Sequence, residues 1–506
     1  MTNPDILIVG AGHNGLVAAA YLAKAGRKVL VLERGDAPGG QLAAGLPWPS
    51  VEAPALHPSG RLRPDIVRDL DLARHGLPIA PATSNANYVS LLPGGETLRL
   101  TADAGDAATI ESIRRLSLAD AGRWPEFVAF MTSAADFLDA AYRTPMPRMQ
   151  KAELVAAGLP LASLVLRLRR LGRKDLFRVI RSLSMSAQEF TDDWFESEPL
   201  KAAIGALAVH GATLGAYSAG TGYTLIHNWL NRGGLGHGRS DGGASITEAL
   251  VAALTASGGE VRTSAGVARI LVDRQQVIGV RLESGEEIAA KVLASAADPR
   301  STLLGLVGAP ELPPEFVWQT QSIRMRGSVA KVHLLTDGRH GLPEGTLIVA
   351  PTLRYLEQAY DAAKYGEISA QPYLEVTTAG PVVSIHFQFA PYGLRNGDWA
   401  SARATLEQCA IDTLAAHCPG LRGSLREVRS ITPLDLEQDW GLTEGDLSHG
   451  QPILDQIFFM RPLPGWSDHR TPVDGLYLCG GGVHGGGGVS GASGRNAARA
   501  ILKSAG

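Results

Sequence analysis

Apolar positions fall into short blocks broken by glycine-rich turns. Asp5 to Val9 reads as a buried strand. The alanine-rich stretch Leu16 to Ala25 reads as a helix closed by Gly26, and Lys28 to Leu32 as a second strand ending in Glu33. Gly10, Gly12 and Gly15 stand between the first strand and the helix, a G-x-G-x-x-G turn in strand–helix–strand context. Near the other end, Leu476 to Cys479 is a short strand, and seven glycines occupy positions 480 to 488. The following "GVSGASGRNAARAIL" reads as a helix whose small residues permit close packing. Between these ends, 242–299 opens with a glycine pair and a helix. It continues as "EVRTSAGVARILVD", "VIGVRLES" and "EEIAAKVLASA", which predict a β-meander. "MRGSVAKVHLL" alternates as a strand, with Val329, Lys331 and His333 on one face.

Each glycine of the first turn has a physical task. Gly10 allows the turn, Gly12 lets backbone approach a pyrophosphate, and Gly15 lets helix and strand pack closely. The helix N-terminus that follows offers unpaired N–H groups and a positive dipole to phosphate. Glu33 suits a ribose with a free 2′-hydroxyl and favours FAD or NAD over NADP, although the adjacent Arg34 weakens the case against a 2′-phosphate. Gly39 and Gly40 would let the chain pass over a long cofactor beyond its ribose. The C-terminal glycine run would bring bare backbone to a flavin ring, and the helix after it would face the ring edge that becomes negative on reduction.

The two ends, with 242–299 between them, resemble the phytoene desaturase-like FAD oxidoreductases of the wider flavin amine oxidase superfamily. Within these the sequence resembles the pyridine nucleotide-disulphide oxidoreductase domain-containing protein 2 type. "PVVSIHFQFAPYGL", "ITPLDLEQDWGLTEGDLSHG" and "LDQIFFMRPLPG" carry that likeness, whereas Gly485 stands where relatives usually have proline after His484. The resemblance implies an α/β protein with a Rossmann-like FAD-binding domain of glutathione-reductase type and a discontinuous α+β substrate domain. The FAD-binding domain would comprise 1–75, 235–300 and 461–506, and the substrate domain 76–234 and 301–460. It further implies FAD contacts at Gly10, Gly12, His13, Asn14, Gly15, Glu33 and Arg34, with Gly39, Gly40 and Gln41 beside the pyrophosphate and ring. Val267 would meet adenine through its backbone, Gly480 would approach the ribityl or pyrophosphate region, and Gly488 and Val489 would lie against the flavin.

Lys331 sits in a segment resembling the GSVxK stretch of flavin amine oxidases, whose lysine holds a water near N5; the alternative is an edge lysine facing water. His484, in the glycine run, is a second catalytic candidate or else a loop anchor. His227, beside Trp229 in "TLIHNWLNRGG", is a third, or else core packing. The activity expected is dehydrogenation of a hydrophobic small molecule, with oxygen, a quinone or another carrier taking the electrons. A flavin amine oxidase and a non-catalytic FAD-binding scaffold are the alternatives. "RGGLGHGRSDGG", 232–243, lacks a convincing strand before it, so no separate NAD(P)H site is expected.

Composition narrows the rest. A net charge of −3 gives no reason to expect a nucleic-acid partner. The three cysteines lack CxxC spacing and suit a reducing compartment. No signal peptide or 18-residue apolar run is visible, so a cytoplasmic location is expected. The stretch 154–183 interleaves leucines with Arg167, Arg169, Arg170, Arg173, Lys174, Arg178 and Arg181. It reads either as a helical cover with a solvated basic face or as peripheral membrane contact. Oligomeric state and substrate identity are not legible.

Overall fold

The apolar runs Ile6–Val9 and Val29–Leu32 carry no polar residue, as strands covered on both faces require. In the computed structural model, which describes residues 4–43, 45, 48, 56, 60–78, 87–148, 158–170, 172–236 and 243–504, Ile6–Val9 is the central strand of a five-stranded parallel sheet. The order is Leu476–Leu478, Val292–Ser295, Ile6–Val9, Val29–Leu32, Glu260–Arg262. Ile6 and Ile8 pack with residues of the helices His13–Lys24, Gly243–Ala256 and Ala492–Ser504. Leu7 and Val9 point the other way, onto Ile270, Val280 and Leu282 of a three-stranded meander.

The meander is shorter than the pattern predicts. The stretch read as one strand, "EVRTSAGVARILVD", is two: Glu260–Arg262 joins the parallel sheet and Val267–Asp273 starts the meander. "EEIAAKVLASA" divides in the same way, Glu287–Ala289 closing the meander and Val292–Ser295 returning to the parallel sheet. Alternation marks a strand but not the sheet it joins.

A second sheet of seven strands has the order Leu425–Ile431, Val329–Thr336, Val382–Gln388, Leu374–Ala379, Thr346–Val349, Tyr88–Leu91, Thr97–Leu100. Its pairings are antiparallel except that of Thr346–Val349 with Tyr88–Leu91. One face, with Ala330, Val332, Ile385 and Phe387, packs on Leu406, Ala410 and Leu414 of the helix Trp399–Ala415. The opposite face carries Lys331, His386 and Glu375 side by side across three neighbouring strands. Lys331 therefore lies on an inner strand and is 5% exposed, not an edge residue facing water.

The basic stretch forms two helices, Gly158–Arg170 and Gly172–Ser184; residues 154–157 and 171 lie outside the described set, as do 237–242 of the second glycine-rich segment. Among the described residues no helix is long and apolar enough to cross a membrane.

The first and last helices meet backbone to backbone. A Cβ at Gly494 would run into the Asn14 carbonyl and lie 3.2 Å from the Ala18 nitrogen, neither of which can rotate away. Gly494→Ala is therefore expected to destabilise the protein by about 1–3 kcal/mol through overpacking. Thermal unfolding of the purified protein checks this; an unchanged midpoint would contradict the packing described.

Candidate active site

A cavity of about 460 Å³ lies between the parallel sheet and the polar face of the seven-stranded sheet. Its walls bring together residues far apart in the chain. From the first turn come Gly10, Gly12, His13 and Asn14, and from the second strand Glu33 and Arg34. Gly40, Gln41, Val267, His227, Lys331, Gly488 and Val489 complete the set of expected residues that line it.

Gly10 has φ 93°, a conformation that side-chain-bearing residues rarely adopt. It turns the chain from the strand into the helix His13–Lys24, whose N-terminus has no side-chain cap and no acidic residue in its first turn. A Cβ at Gly12 would meet no atom within 4 Å, so the bare helix end opens onto the cavity. The Glu33 carboxylate is held beside it by the N–H groups of Ala11 (2.7 Å) and Gly35 (2.9 Å). Uncapped amide donors facing free space, next to an oriented carboxylate, suit a pyrophosphate joined to a ribose, and the residues present fit FAD. Gly39 N–H donates to the Ala11 carbonyl (2.9 Å), which fastens the Gly39–Gly40 turn to the same corner. The end of the helix Pro433–Trp440 and the loop after it close over this corner, with Arg34 donating to the Asp439 carbonyl (2.7 Å) and Gln41 to the Leu447 carbonyl (3.0 Å).

Four expected residues do not line the cavity. Gly15 packs helix to strand, since a Cβ there would collide with the Gly10 carbonyl and crowd Ala296 at 3.1 Å. A Cβ at Gly39 would crowd Ala43 at 2.9 Å. Gly480 abuts the Ala296 carbonyl and not the ligand space. His484 is 1% exposed, and its Nε2 donates to the Thr144 carbonyl (3.0 Å). Burial pushes its pKa down to about 4, and its bond to Thr144 ties the glycine loop to the end of the helix Leu118–Arg143.

The glycine run also serves the protein's own packing. A Cβ at Gly486 would strike the Gly481 carbonyl, and one at Gly487 would lie 2.5 Å from the His227 ring. The His13 ring lies beside the backbone of Gly488, so the first helix and this loop meet at the same wall.

His227 belongs to a hydrogen-bonded chain that sequence reasoning missed. Arg63 Nη2 donates to Asn231 Oδ1 (3.1 Å), so Asn231 Nδ2 donates to His227 Nε2 (2.9 Å). The imidazole proton then sits on Nδ1 and donates to the Tyr142 hydroxyl (2.7 Å), which donates to Tyr223 (2.6 Å). Burial, followed by the Arg63 and Arg461 charges, pushes His227 down to about 3, which keeps the ring neutral. Among the described residues nothing accepts the last proton, on Tyr223, which stands on the cavity wall.

Lys331 heads a second chain. Gln388 Nε2 donates to the Ala212 carbonyl (2.6 Å), so Gln388 Oε1 accepts from His386 Nε2 (2.8 Å). His386 Nδ1 is left as an acceptor for Lys331 Nζ, 3.0 Å away. Burial pushes the Lys331 pKa down to about 8; Glu375 opposes this and Arg232 adds to it. Glu375 itself is held by Arg232 at 2.8 and 3.1 Å. Lys331 and His386 both line the cavity, and His210, on its wall, stacks on His386 at 4.0 Å.

Arg461, also on the wall, donates to four carbonyl oxygens, of Gly450, Gln456, Ser448 and Gly481, at 2.8–3.3 Å. It pins the 448–456 segment to the glycine loop. No periodicity singles it out, although it lies in "LDQIFFMRPLPG", one of the stretches that carry the family likeness.

Comparison with known proteins agrees with this geometry. An NAD(P)-binding Rossmann-like domain family matches residues 8–45, and the flavin containing amine oxidoreductase family matches 90–395. The chain is 32% identical to the pyridine nucleotide-disulfide oxidoreductase domain-containing protein 2 of Rattus norvegicus, over 99% of this chain and 93% of that protein. It is 25% identical to a lycopene-forming phytoene desaturase of Pseudescherichia vulneris, over 96% of each. A crystal structure of an oxidoreductase from Methanosarcina mazei shares the fold, with a TM-score of 0.61 and 16% identity over 98% of this chain and 99% of that one. With more than half of its length matched by that family and a relative at this identity along nearly all of it, the chain belongs to the flavin-containing amine oxidoreductases and is an FAD-dependent oxidoreductase.

Proposed function

We propose that this oxidoreductase dehydrogenates a largely apolar small molecule held between the Gly485–Gly488 loop and the polar face of the seven-stranded sheet. The observation that carries the reading is the buried Lys331–His386 pair on the same cavity as the uncapped helix N-terminus at Gly12. FAD, when bound, supplies a two-electron acceptor whose N5 takes a hydride, with oxygen, a quinone or another carrier reoxidising it afterwards.

The residues of the chain do the remaining work. Leu442, Leu447, Pro452, Ile457 and Phe458 supply apolar wall against which a substrate can desolvate. Tyr223 offers one hydroxyl proton at a fixed place, so a substrate oxygen or nitrogen set against it would be oriented. Neutral Lys331 donates one N–H to His386 Nδ1 and keeps a lone pair that can hold a water or accept a proton. Once protonated, Nζ keeps the same His386 acceptor.

A second reading is oxidation of an amine, favoured by the family match over 90–395 and by Lys331. Against a cationic amine stand the charges at the substrate end, where Lys331 and Arg461 line the wall. Of the acidic lining residues, Glu33 lies beside the Gly12 turn, Glu283 is placed next to Val267 by its backbone N–H donating to the Gly266 carbonyl, and Asp298 is taken up by Ser301 and Thr443. An apolar substrate with one neutral polar group meets no such penalty.

Anaerobic mixing with polyenes, terpenoids, saturated cyclic ketones and amines tests the assignment. Bleaching of the flavin by a member of the first three classes is expected; bleaching by amines alone would transfer the assignment to the second reading.

If Lys331 accepts a proton, flavin reduction should accelerate as pH rises through about 8, because the base form exists above its pKa. Lys331→Met should slow reduction by about 10²-fold or more and flatten the profile. A retained inflection near pH 8 in the variant would remove Lys331 from the reaction.

Gly12→Ala adds a methyl group where the protein has no atom within 4 Å. Apoprotein stability should change by under about 0.5 kcal/mol, while the dissociation constant for FAD should rise at least tenfold. Equal FAD affinity in titration of the apoprotein would place the pyrophosphate elsewhere.

A further inference from the structure

The helices Gly158–Arg170 and Gly172–Ser184 form an outer layer with two unlike faces. Inward, Leu168, Val179 and Leu183 pack on the cluster that contains Phe190, Trp194 and Trp229. A Cβ at Gly222 would strike the Ser182 carbonyl, so the second helix sits directly on Thr221–Arg232, the helix that carries Tyr223, His227 and Asn231. A plain covering layer would turn only polar groups outward. Here Val165, Leu166, Phe177 and Ile180 are 53%, 51%, 60% and 52% exposed. They lie at helical spacing with exposed arginines: Val165 and Leu166 with Arg169 and Arg170, and Phe177 and Ile180 with Arg173 and Arg181.

The charges on this layer are one-sided. Its described residues hold seven basic side chains against one acid, Asp175, in a chain whose overall balance is −3. Lys174 and Arg178 pair with Glu126, and Arg181 pairs with Asp193. Arg167, Arg169, Arg170 and Arg173 make no ion pair among the described residues.

We infer that this face docks on an anionic phospholipid surface, with Val165, Leu166, Phe177 and Ile180 entering the headgroup boundary and the unpaired arginines meeting phosphate. A second copy of the chain would set the same positive charges against each other. A nucleic acid would suit the arginines but gains little from exposed valine, leucine and isoleucine, which cannot stack on bases. Exposed aliphatic and aromatic side chains flanked by arginine are what an interfacial helix presents to lipid.

Co-sedimentation of the full-length flavoprotein with vesicles tests this. Partition onto phosphatidylcholine–phosphatidylglycerol vesicles is expected to exceed that onto pure phosphatidylcholine at least tenfold and to fall as salt rises. Arg169→Glu/Arg170→Glu/Arg173→Glu should lower it about a hundredfold or more. Phe177→Ser/Ile180→Ser should lower it about tenfold, with flavin absorbance and thermal midpoint unchanged. Equal partition onto both vesicle types, or unaltered partition of the serine variant, would overturn the inference. So would an oligomer in vesicle-free solution that dissociates in the serine variant, since a second copy would then cover this face.

Discussion

The candidate site depends on one close approach, that of the last helix to the first. Because Gly494 has no side chain, the helix Ala492–Ser504 can rest on the Asn14 carbonyl at the start of the helix His13–Lys24. That contact brings the glycine loop beside His13, whose ring lies against Gly488, and so sets the two chain ends against one space. Asp65 adds an ion pair with Arg495 on the same helix. A side chain at Gly494 would push the last helix off the Asn14 carbonyl and strain that contact. Glycine is unfavourable inside a helix, and tertiary packing outweighs that cost here.

The second constraint is electrostatic. Burial keeps His227 and His386 neutral, while Lys331 remains able to change charge in the working range. The difference follows from partners. His227 has both ring nitrogens engaged by neutral groups, and two arginines oppose its protonation. Lys331 lies one strand from His386 and two from Glu375, whose charge sustains its protonation while Arg232 holds that carboxylate. Two polar chains, one ending at a hydroxyl proton and the other at an amine that offers a lone pair only above about pH 8, therefore face one cavity. In the proposed function, a substrate binding there would be held as an acceptor at one point and lose a proton at the other.

What was legible in the sequence was local. The turn from Gly10 to Gly15, the strands around it and Glu33 all lie within one unit of about 30 residues, so spacing alone revealed them. The face shared by Val329, Lys331 and His333 followed from alternation. The pairing of Lys331 with His386 did not, because it rests on the register of two strands 55 residues apart. Tyr142, Arg63 and Asn231 were missed for the same reason: their bonds to one another and to His227 join a helix end, a loop and a second helix. The C-terminal glycines were seen, but their neighbours were not. Gly480 and His484 turned out to serve backbone packing, which leaves no signal in a single sequence.

The helix Thr221–Arg232 links these layers. Its inner side bears Tyr223, His227 and Asn231 on the cavity, and Gly222 meets Ser182 of the outer basic helix. One helix thus separates the exposed arginine-flanked apolar face from the polar chain that ends at Tyr223. Apolar molecules are sparingly soluble in water and concentrate where hydrocarbon is available. With the lipid docking inferred above, an enzyme that took such a molecule would gain substrate concentration at the lipid surface, and this thin separation would keep the cavity near that source. The same thinness makes the inner helix sensitive to its cover. Movement of Ser182 against Gly222 would be felt at His227 one and a half turns along, where two ring bonds and the glycine loop leave little room for adjustment.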